Sequence, residues 1–475
     1  MTTTAEAFGL FIGGAWVHRS ESIEVTNPFD GRRVATIASA ATEDVDAAVT
    51  AATASLATAF PLHARYDVLM RTAARIDAQK DVYARAIALE GSKTIREARR
   101  EPGRAANILR LAAEEGRRLG GETLPFDSLP GSENRLGYYF RFPVGVVAAI
   151  TPFNDPLAMV AHKIGPALAV GNAVVLKPAS ASPLSALRIA DDMMAAGLPP
   201  GRLNVLTGSG EEIGPALVSD RRVRLVTFTG GVSTGEAITR TAGLKKLSME
   251  LGSNSPVIVL PDARLDRAVP AILAGAFAQA GQNCLGVQRI FVHDEVYDAF
   301  KRTFVEQASR LTAGSSLDET VDVCAMIGER HAIRVESWIR EAVNAGARVL
   351  AGGRREGAVM WPTVLEHVPH GARLDCEEAY GPVVSLYRVS SLEDAIEQAN
   401  GVEYGLHAAV FTESLRDAFL AVERLAVGAV IVNDSTDYRL DVMPFGGTKL
   451  SGIGREGVRF AATEMTETRV VCFNL

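Results

Sequence analysis

Two short segments on either side of one helix-length apolar run contain a candidate base and a candidate nucleophile. Glu250 opens the segment Glu-Leu-Gly-Ser-Asn-Ser-Pro, and Cys284 closes the segment Gly-Gln-Asn-Cys. A thiol attacks only as its thiolate, which is a minor form of free cysteine at neutral pH, so a catalytic cysteine needs help from its surroundings. Small residues leave the sulfur of Cys284 accessible, but a single cysteine taken without context is more often a buried structural thiol. Patterns elsewhere in the chain are needed to distinguish a catalytic cysteine from a structural one.

The pattern of apolar segments predicts the elements that hold these residues. From residue 144 onward, short apolar strands alternate with helical stretches, which is typical of parallel βαβ units and a doubly wound sheet. The predicted strands cover 146–150, 173–176, 203–206 and 225–228. A second run of this kind starts with a strand at 257–260, continues through helices near 264–279, 295–310 and 330–345, and reaches a strand at 429–432. The sequence therefore predicts an α/β protein with two sheets.

The segments outside these two runs have simpler patterns. Residues 11–18 alternate around two glycines and predict a hairpin. Helices are predicted after Thr42, after Pro61 and over 102–119, because acidic first turns or apolar residues at helical spacing occur there. Strands are predicted over 134–142 and 466–473, at a distance from both sheets. We expect these last two segments to pair with each other as a small β arm.

Composition limits the possible partners. The chain has 475 residues, 47% hydrophobic and 22% charged, which suggests a globular protein of two or three domains. A net charge of −7 gives no general attraction to nucleic acid or to anionic membranes. Four cysteines without CxxC spacing indicate a reducing compartment. Because the start lacks the pattern of a secretion signal and no apolar run is long enough to span a bilayer, we expect a cytoplasmic protein that binds small molecules.

Eight motifs follow one another along nearly the whole chain in an order that resembles the aldehyde dehydrogenase superfamily. They are Thr151-Pro-Phe-Asn154, Lys177-Pro-Ala179, Phe228-Thr-Gly-Gly231, Glu250-Leu-Gly252, Gly281-Gln-Asn-Cys284, Glu378-Ala-Tyr-Gly-Pro-Val383, Pro444-Phe-Gly-Gly447 and Ser451-Gly-Ile-Gly-Arg-Glu456. The number of motifs and their order favour a catalytic role for Cys284 over a structural one.

The resemblance implies an NAD(P)-dependent enzyme that oxidises an aldehyde to its carboxylic acid. Cys284 would attack the carbonyl carbon, while the Asn154 side chain and the Cys284 backbone N–H would hold the oxyanion. Hydride transfer would leave a thioester, and Glu250 would activate the water that hydrolyses it. Glu456 matches a family glutamate proposed as a proton relay. Members that acylate coenzyme A generally lack a glutamate at the position of Glu250. The presence of Glu250 therefore favours hydrolysis of the thioester over acylation of coenzyme A. The alternatives are coenzyme A acylation and a non-catalytic structural relative.

Two glycine patterns compete as the loop that binds the dinucleotide phosphates. The strand at 225–228 runs directly into the segment 229–235 and a helix, whose first backbone amides suit a pyrophosphate. Residues 452–457 match the letters of GxGxxG, but no strand is predicted before them and no clear helix after them. We therefore expect Gly230 and Gly231 to lie at the phosphates.

The resemblance assigns further residues to the dinucleotide. Lys177 would hold the adenosine ribose, Glu378 the nicotinamide ribose, and the loop with Gly210 would lie beside the adenine. Ser180 stands where many NAD-preferring members have glutamate. Without that carboxylate a 2′-phosphate is not repelled, so NADP should be accepted as well as NAD. The predicted cofactor residues are Thr151, Phe153, Lys177, Ser180, Gly210, Gly230, Gly231, Thr234, Leu251, Glu378 and Tyr380.

The predicted substrate entrance is polar. Its residues are Asp155, Met159, His162, Asn283, Leu285, Arg439 and Phe445. Such a set favours a small hydroxylated or anionic aldehyde, and His162 and Arg439 are candidates to contact a carboxylate, phosphate or phosphonate. A histidine on a helix is, however, often a structural residue. The motifs are similar to those of the branch with lactaldehyde, non-phosphorylating glyceraldehyde-3-phosphate and phosphonoacetaldehyde dehydrogenases, among which the sequence does not choose.

The resemblance also implies a division into domains. The predicted ranges are a dinucleotide-binding domain at 1–118 and 144–251, a catalytic domain at 252–441, an oligomerisation arm at 119–143 and 457–475, and a return segment at 442–456 near the active site. A homodimer or homotetramer is expected, with Lys246, Arg455 and Glu467 in a charged network near the subunit contact. No metal site is predicted, because His367 and His370 lie in a loop without a third ligand.

Overall fold

The computed structural model describes residues 6–475. Residues 1–5 lie outside the described residues. They make up most of the start of the chain, where the sequence has no pattern of a secretion signal. The strands up to residue 250 are β1 Glu6–Phe8, β2 Leu10–Ile12, β3 Ala15–Val17, β4 Ser22–Thr26, β5 Arg33–Ala38, β6 Glu122–Leu124, β7 Arg135–Pro143, β8 Val146–Ile150, β9 Ala173–Lys177, β10 Leu203–Val205, β11 Val223–Thr229 and β12 Lys246–Glu250.

The remaining strands are β13 Ser255–Val259, β14 Val287–His293, β15 Ala313–Gly314, β16 Val323–Cys324, β17 Arg348–Ala351, β18 Arg355–Glu356, β19 Val359–Met360, β20 Thr363–Glu366, β21 Val383–Val389, β22 Tyr404–Gly405, β23 His407–Phe411, β24 Ala429–Val432, β25 Thr448–Lys449, β26 Gly452–Ile453 and β27 Thr466–Asn474.

The α-helices are α1 Thr42–Ser55, α2 Leu62–Ala78, α3 Lys80–Glu90, α4 Ile95–Ala98, α5 Glu101–Arg118, α6 Ala158–Ala169, α7 Leu184–Ala195, α8 Gly210–Ser219, α9 Val232–Ala242, α10 Leu265–Phe277, α11 Asp294–Arg310, α12 Glu329–Asn344, α13 Arg373–Cys376, α14 Leu392–Asn400, α15 Leu415–Arg424 and α16 Val458–Glu464.

The first sheet contains the predicted doubly wound core. Its strands lie in the order β26-β12-β11-β8-β9-β10-β2-β3. Strands β8 to β12 run parallel, and the chain winds from β8 outward through β9 and β10 before it returns to the other side of β8 with β11 and β12. In such open sheets a ligand binds at the carboxyl ends of the strands, where the strand order reverses. Thr151 and Gly230, which directly follow β8 and β11, lie at that position.

Strand β8 illustrates why this sheet is buried on both faces. Val147 and Ala149 pack in a core with residues of α2, α5, α6 and α7. Val146 and Ala148 point the other way, into a core with residues of α1, α8 and α9. Because side chains alternate along a strand, a continuous apolar run is what a strand covered by helices on both sides requires.

The second sheet is also mostly parallel and confirms the second α/β unit. Its order is β17-β20-β21-β14-β13-β23-β24, and only the edge strand β17 is antiparallel to its neighbour. Helices α10, α11 and α12 contribute to its core. The sheet begins with β13, five residues after β12 ends at Glu250.

The predicted small arm is present as a third sheet. Strand β27 pairs antiparallel with β7 from Thr466 opposite Pro143 to Asn474 opposite Arg135, and β6 pairs with the other edge of β7. The predicted pairing of the two segments is therefore confirmed. The residue ranges given for the domains stay a prediction, and residues 1–5 of the first range lie outside the described residues.

Three features differ from the sequence analysis. Strands β1, β5 and β4 form an additional sheet that was not predicted. Helix α3 was not predicted either. The expectation that no helix follows residues 452–457 is wrong, because α16 begins at Val458. Even so, β26 within this segment runs antiparallel beside β12, so the segment is not the strand-to-helix turn of a parallel unit.

Candidate active site

A cavity of about 960 Å³ lies at the carboxyl ends of the strands of the first sheet. Its walls include Asn154 after β8, Gly230 and Gly231 after β11, Glu250 at the end of β12, and Cys284 from the second unit. The candidate nucleophile, base and oxyanion donor therefore share one space, although they are up to 130 positions apart in the chain.

An unusual turn leads into Cys284. Helix α10 ends at Phe277, and Gln279 and Ala280 follow with φ of 56° and 54°, in the left-handed region that most residues avoid. Gly281 continues in the same region with φ of 67°. It also packs against Gly381, because a Cβ at Gly281 would lie 2.2 Å from a backbone atom of Gly381. No residue other than glycine fits this contact.

Cys284 is half-buried and borders the cavity. Burial raises its pKa to about 12, while the charge of Arg439 acts in the opposite direction. A buried thiol keeps its proton because the thiolate loses its hydration. Cys284 therefore becomes reactive only when a positive charge approaches or a base removes its proton.

Glu250 is an unpaired buried carboxyl. The residue is 2% exposed, and neither of its carboxyl oxygens has a hydrogen-bond partner within the described residues. Burial raises its pKa well above the usual value, and the nearby charge of Glu456 raises it further. A carboxyl with a raised pKa gives a stronger base when it is ionised, which suits a general base for water.

Glu456 does not line the cavity. It accepts hydrogen bonds from Lys163 at 2.9 Å and from Arg439 at 3.3 Å. Burial opposes its ionisation, but these two positive charges outweigh burial and lower its pKa to about 2. A carboxylate held in this way stays charged near neutral pH, which does not suit the proton relay expected from the resemblance. The negative charge of Glu456 instead raises the pKa of the nearby Glu250.

The pyrophosphate loop predicted after β11 has the required geometry. The backbone N–H of Gly230 donates to the carbonyl of Glu250 at 3.0 Å, and Gly231 caps α9. Gly230 lies so close to Phe228 that a Cβ would be 2.5 Å from its ring. Gly231, Ser233 and Thr234 line the cavity, so the amino terminus of α9 faces it. Helix amino termini favour anions, so this end of the cavity fits a pyrophosphate.

A second part of the predicted cofactor site lies beyond the walls of the main cavity. The Lys177 ammonium donates to the carbonyl of Pro178 at 3.1 Å, and burial lowers its pKa to about 8. A Cβ on Gly210 would be 3.7 Å from the Lys177 side chain. The Ser180 hydroxyl donates to the carbonyl of Gly208 at 2.7 Å. Lys177, Ser180 and Gly210 therefore form one cluster, which fits an adenosine ribose. Thr151 also lies outside the cavity walls.

Glu378 closes the other end of the cofactor region. The backbone N–H of Ser253 donates to its carboxylate at 2.8 Å, and Gly252 leaves the space for it, since a Cβ there would be 2.5 Å from the carboxylate. Burial raises the pKa of Glu378 to about 7. Tyr380, with φ of 43°, packs edge-on against Phe153 at 5.8 Å between ring centroids. These three side chains and Leu251 line the cavity.

The residues present fit a nicotinamide dinucleotide. The amino terminus of α9 and the half-buried Glu378 carboxylate line the same cavity as Cys284, and the cluster around Lys177, which suits a ribose, lies outside its walls. Within residues 6–475, no group of three or more His, Cys, Asp or Glu side chains is arranged to hold a metal ion. Over the same residues, no helix has both the length and the apolar character to cross a membrane.

Arg439 is the most distinctive group at the substrate end. Its guanidinium carbon lies 3.6 Å from the centroid of the Phe445 ring, and one of its amino groups donates to Glu456. The Nε of Arg439 is buried and has no partner within the described residues. Both Arg439 and Phe445 line the cavity. A guanidinium in the wall of a cavity is suited to an anionic ligand.

His162 does not reach the cavity, which corrects the expected substrate contact. Its ring is fully buried and lies 2.9 Å from the carboxylate of Asp441. Burial lowers the pKa of His162 to about 4, so the ring is neutral near pH 7. The structural alternative considered for this histidine fits these contacts. The other predicted substrate residues line the cavity, namely Asp155, Met159, Asn283, Leu285, Arg439 and Phe445.

Sequence reasoning missed the wall formed by α4, α5 and the residues around them. This wall contains Lys93, Glu97, Arg100, Glu101 and Arg104. Lys93 forms ion pairs with Glu101 and Asp155, and Arg104 pairs with Asp441 and Asp155. The available signal was the presence of charges on buried helix positions, since Glu101 is only 3% exposed. A buried charge requires a partner, but the sequence does not identify it.

Comparison with known proteins defines the class. The model of the aldehyde dehydrogenase family matches residues 16–471. Aspartate-semialdehyde dehydrogenase 1 of Pseudomonas canavaninivorans is 47% identical over 95% of this chain and 97% of its own length. The 3-sulfolactaldehyde dehydrogenase of Priestia megaterium is 44% identical over 100% of this chain and 99% of its own.

Solved structures agree. Aldehyde dehydrogenase 21 of Physcomitrella patens, in complex with the reaction product succinate, superposes with a TM-score of 0.97 and 38% identity over 99% of both chains. The glyceraldehyde-3-phosphate dehydrogenase of Methanocaldococcus jannaschii, complexed with NADP, gives a TM-score of 0.93 and 38% identity over 97% of this chain and 100% of its own. The chain belongs to the aldehyde dehydrogenase family, and it is an NAD(P)-dependent oxidoreductase. The suspected resemblance and the predicted cofactor type are confirmed.

Proposed function

We propose that this protein oxidises a short aldehyde with a second, anionic group to the corresponding acid. The observation that carries the proposal is the Arg439 guanidinium in the cavity wall, a fixed positive charge with which a carboxylate, sulfonate or phosphate can pair. The names of the two relatives above support it, because aspartate semialdehyde has a carboxylate and 3-sulfolactaldehyde a sulfonate.

The proposed reaction begins at Cys284. Its sulfur, once deprotonated, adds to the carbonyl carbon of the aldehyde and forms a thiohemiacetal. The Asn154 side-chain amide and the Cys284 backbone N–H donate to the resulting oxyanion. A nicotinamide cofactor bound in this cavity would supply the acceptor for the hydride that leaves this carbon, and the carbon would stay bound to Cys284 as a thioester.

The second half of the proposed reaction belongs to Glu250. Its ionised form removes a proton from water, which attacks the thioester carbonyl and releases the acid and the Cys284 thiolate. Because burial and Glu456 raise the pKa of Glu250, the ionised form becomes more abundant as pH rises. We therefore expect hydrolysis of the thioester to become faster with increasing pH.

The cofactor is proposed to be either NAD or NADP. Support comes from Ser180, whose hydroxyl donates to the Gly208 carbonyl beside Lys177 and places no carboxylate at the ribose. A measured preference for NAD of more than about a thousandfold would contradict this argument.

A set of aldehydes tests the substrate class. The activity on 4-oxobutanoate, lactaldehyde and butanal should be measured with both cofactors for the native protein and for Arg439→Gln. Loss of one charged hydrogen bond costs about 1.5–3 kcal/mol, so the ratio of kcat/KM for 4-oxobutanoate over butanal should fall roughly 10- to 100-fold. Any effect of Arg439 on the Cys284 thiol changes the activity on both substrates alike and cancels in this ratio. The ratio therefore reports only the contact with the anionic group of the substrate.

Arg104→Gln is the matched control, because this arginine is already paired with Asp441 and Asp155. Its ratio of activities should change less than that of Arg439→Gln. An equal loss on butanal and on 4-oxobutanoate in Arg439→Gln would reject the anionic substrate.

A homodimer or homotetramer in a reducing compartment such as the cytoplasm is also proposed. The arm supports assembly, because β27 is an edge strand of nine residues and several large apolar side chains on the arm are exposed. They are Leu136, Phe140, Val470 and Phe473. The four cysteines support the compartment, since all of them are free thiols. Analytical ultracentrifugation tests the assembly.

A further inference from the structure

The turn before Cys284 is strained and has to be held in place. Gln279 and Ala280 both have left-handed backbone angles, and neither is glycine. Such residues persist only where neighbouring groups determine their conformation. The conformation of the turn affects the position of Cys284, because the segment that follows the turn and contains Cys284 is itself fixed by hydrogen bonds. The Gln282 side chain is fully buried and accepts from Ile327 at 2.9 Å, and the N–H of Gly286 donates to the carbonyl of Asn283 at 2.8 Å.

The carboxylate of Glu97 holds the first residue of this turn. One of its oxygens accepts from the backbone N–H of Gln279 at 2.9 Å. The other accepts from the backbone N–H of Thr94 at 2.8 Å and from its hydroxyl at 3.0 Å, at the start of α4. Both oxygens are therefore used, and the carboxylate joins α4 to the turn across 182 positions of sequence.

The side chain of Gln279 has a second attachment. Its amide nitrogen donates to the carboxylate of Asp155 at 3.2 Å, and Asp155 follows Asn154 directly. Lys93 and Arg104 hold Asp155 through ion pairs. The turn before the nucleophile is thus connected to the residue next to the oxyanion donor.

We propose that Glu97 is a positioning residue for Cys284, which acts by holding Gln279 in its left-handed conformation. Without the Glu97 carboxylate, Gln279 relaxes toward an ordinary conformation, and the Cys284 sulfur and N–H move relative to Asn154. The inference rests on the proposed role of Cys284 as the nucleophile. Glu97 itself takes no part in bond making.

A double-mutant cycle tests the proposal. Glu97→Gln keeps the shape of the side chain but removes its charge and one of its two acceptors. We expect kcat to fall about tenfold, with KM for the cofactor unchanged, and alkylation of Cys284 by iodoacetamide to change at least threefold. Gln279→Gly provides the second background, because glycine adopts the left-handed conformation without strain and its loss of the Asp155 contact is common to both arms of the comparison. In that background Glu97→Gln should cost less than about twofold.

Asp394→Asn is the matched control. Asp394 occupies the same third position of a capped helix, α14, and accepts from the backbone of Ser390, but it does not line the cavity. This variant should lower Tm as Glu97→Gln does and leave kcat unchanged. Circular dichroism establishes that each variant is folded.

Two outcomes overturn the proposal. Native kcat and native alkylation of Cys284 in Glu97→Gln would show that the turn holds without the carboxylate. An equal loss of kcat in both backgrounds would show that Glu97 acts by a route other than Gln279. Alkylation of Cys284, followed by mass spectrometry of its peptide, reports the conformation of the turn. It does so even if Cys284→Ala retains activity and Cys284 is not the nucleophile. Failure of the nucleophile assignment can therefore be distinguished from failure of the positioning role.

Discussion

The two ends of the cavity are built in different ways. The cofactor end is formed mainly by backbone groups and glycines at the ends of successive strands, such as Gly230 after β11 and Gly252 after β12, to which the side chains of Lys177 and Glu378 are added. The substrate end consists of charged side chains from remote segments, with Lys93, Asp155 and Arg439 facing one space. A ligand that many enzymes share can be bound by the geometry of a fold, whereas the selection of one aldehyde depends on side chains. The predictions below test whether this division holds.

Loss of the nucleophile should have the largest effect. Cys284→Ala is expected to lower kcat by at least about 10⁴-fold, because no thioester can form. Cofactor binding, measured by fluorescence titration, should remain, since the phosphate and ribose sites are separate from the thiol. Cys472→Ala on the exposed arm is the matched control and should retain native activity. Full activity of Cys284→Ala would require a different nucleophile.

Removal of the oxyanion donor should have the next largest effect. Asn154→Ala is expected to lower kcat by about 10²- to 10³-fold, the usual loss for one such donor. The binding of NADP should be unaffected, because Asn154 follows β8 and is not part of the loop between β11 and α9. Steady-state kinetics and a cofactor titration check both parts. Native turnover in this variant would remove Asn154 from the mechanism.

The buried charges at the substrate end predict a pH effect. Glu456→Gln removes the negative charge that raises the pKa of Glu250, so the pKa of Glu250 should fall and its ionised form should exist at lower pH. The acidic limb of thioester hydrolysis, followed by stopped-flow kinetics, should therefore move to lower pH. The variant should also lose roughly 3 kcal/mol of stability, because Lys163 is left without its partner.

Glu366→Gln provides the control for that experiment. Glu366 is also a buried carboxylate, paired with Lys301 at 3.0 Å, but it belongs to the second sheet and does not line the cavity. It should destabilise the protein without a shift of the pH profile. An unchanged profile in Glu456→Gln would mean that Glu456 does not set the pKa of Glu250.

The cofactor end should respond to a smaller change. Ser180→Glu introduces a carboxylate beside Lys177 and should raise KM for NADP about tenfold while leaving KM for NAD nearly unchanged, because only NADP has a 2′-phosphate to repel. Ser180→Gln has the same size without the charge and should have a weaker effect on NADP. Equal effects of both variants would indicate crowding and not charge.

The comparison of the two ends also explains what the sequence could predict. Strands such as Val146–Ile150 and Ala429–Val432 were predicted with their observed bounds, because apolar runs between turn residues are local signals. Residues at the ends of strands, such as Lys177 and Gly230, follow from the same local pattern. Two additional strands near the start, Ser22–Thr26 and Arg33–Ala38, were missed.

The substrate end could not be predicted in the same way. His162 was expected in the cavity, but its ring is directed to Asp441, 279 positions later in the chain. Glu97 and Lys93 were not considered, because their partners Gln279 and Asp155 are remote in sequence. The left-handed angles of Gln279 and Ala280 have no signature in residue type, since neither is glycine or asparagine. Such features depend on tertiary contacts.

The pairing of Glu250 with Gly452 has a consequence for how the protein is made. Strand β12 leaves the ribosome some two hundred residues before the segment that completes its edge. The carboxyl group proposed to release the acid therefore reaches its final environment only when synthesis is nearly finished. A prematurely terminated chain that already has the thiol and most of the dinucleotide site would lack this wall, so we expect truncated products to be unable to complete the reaction cycle.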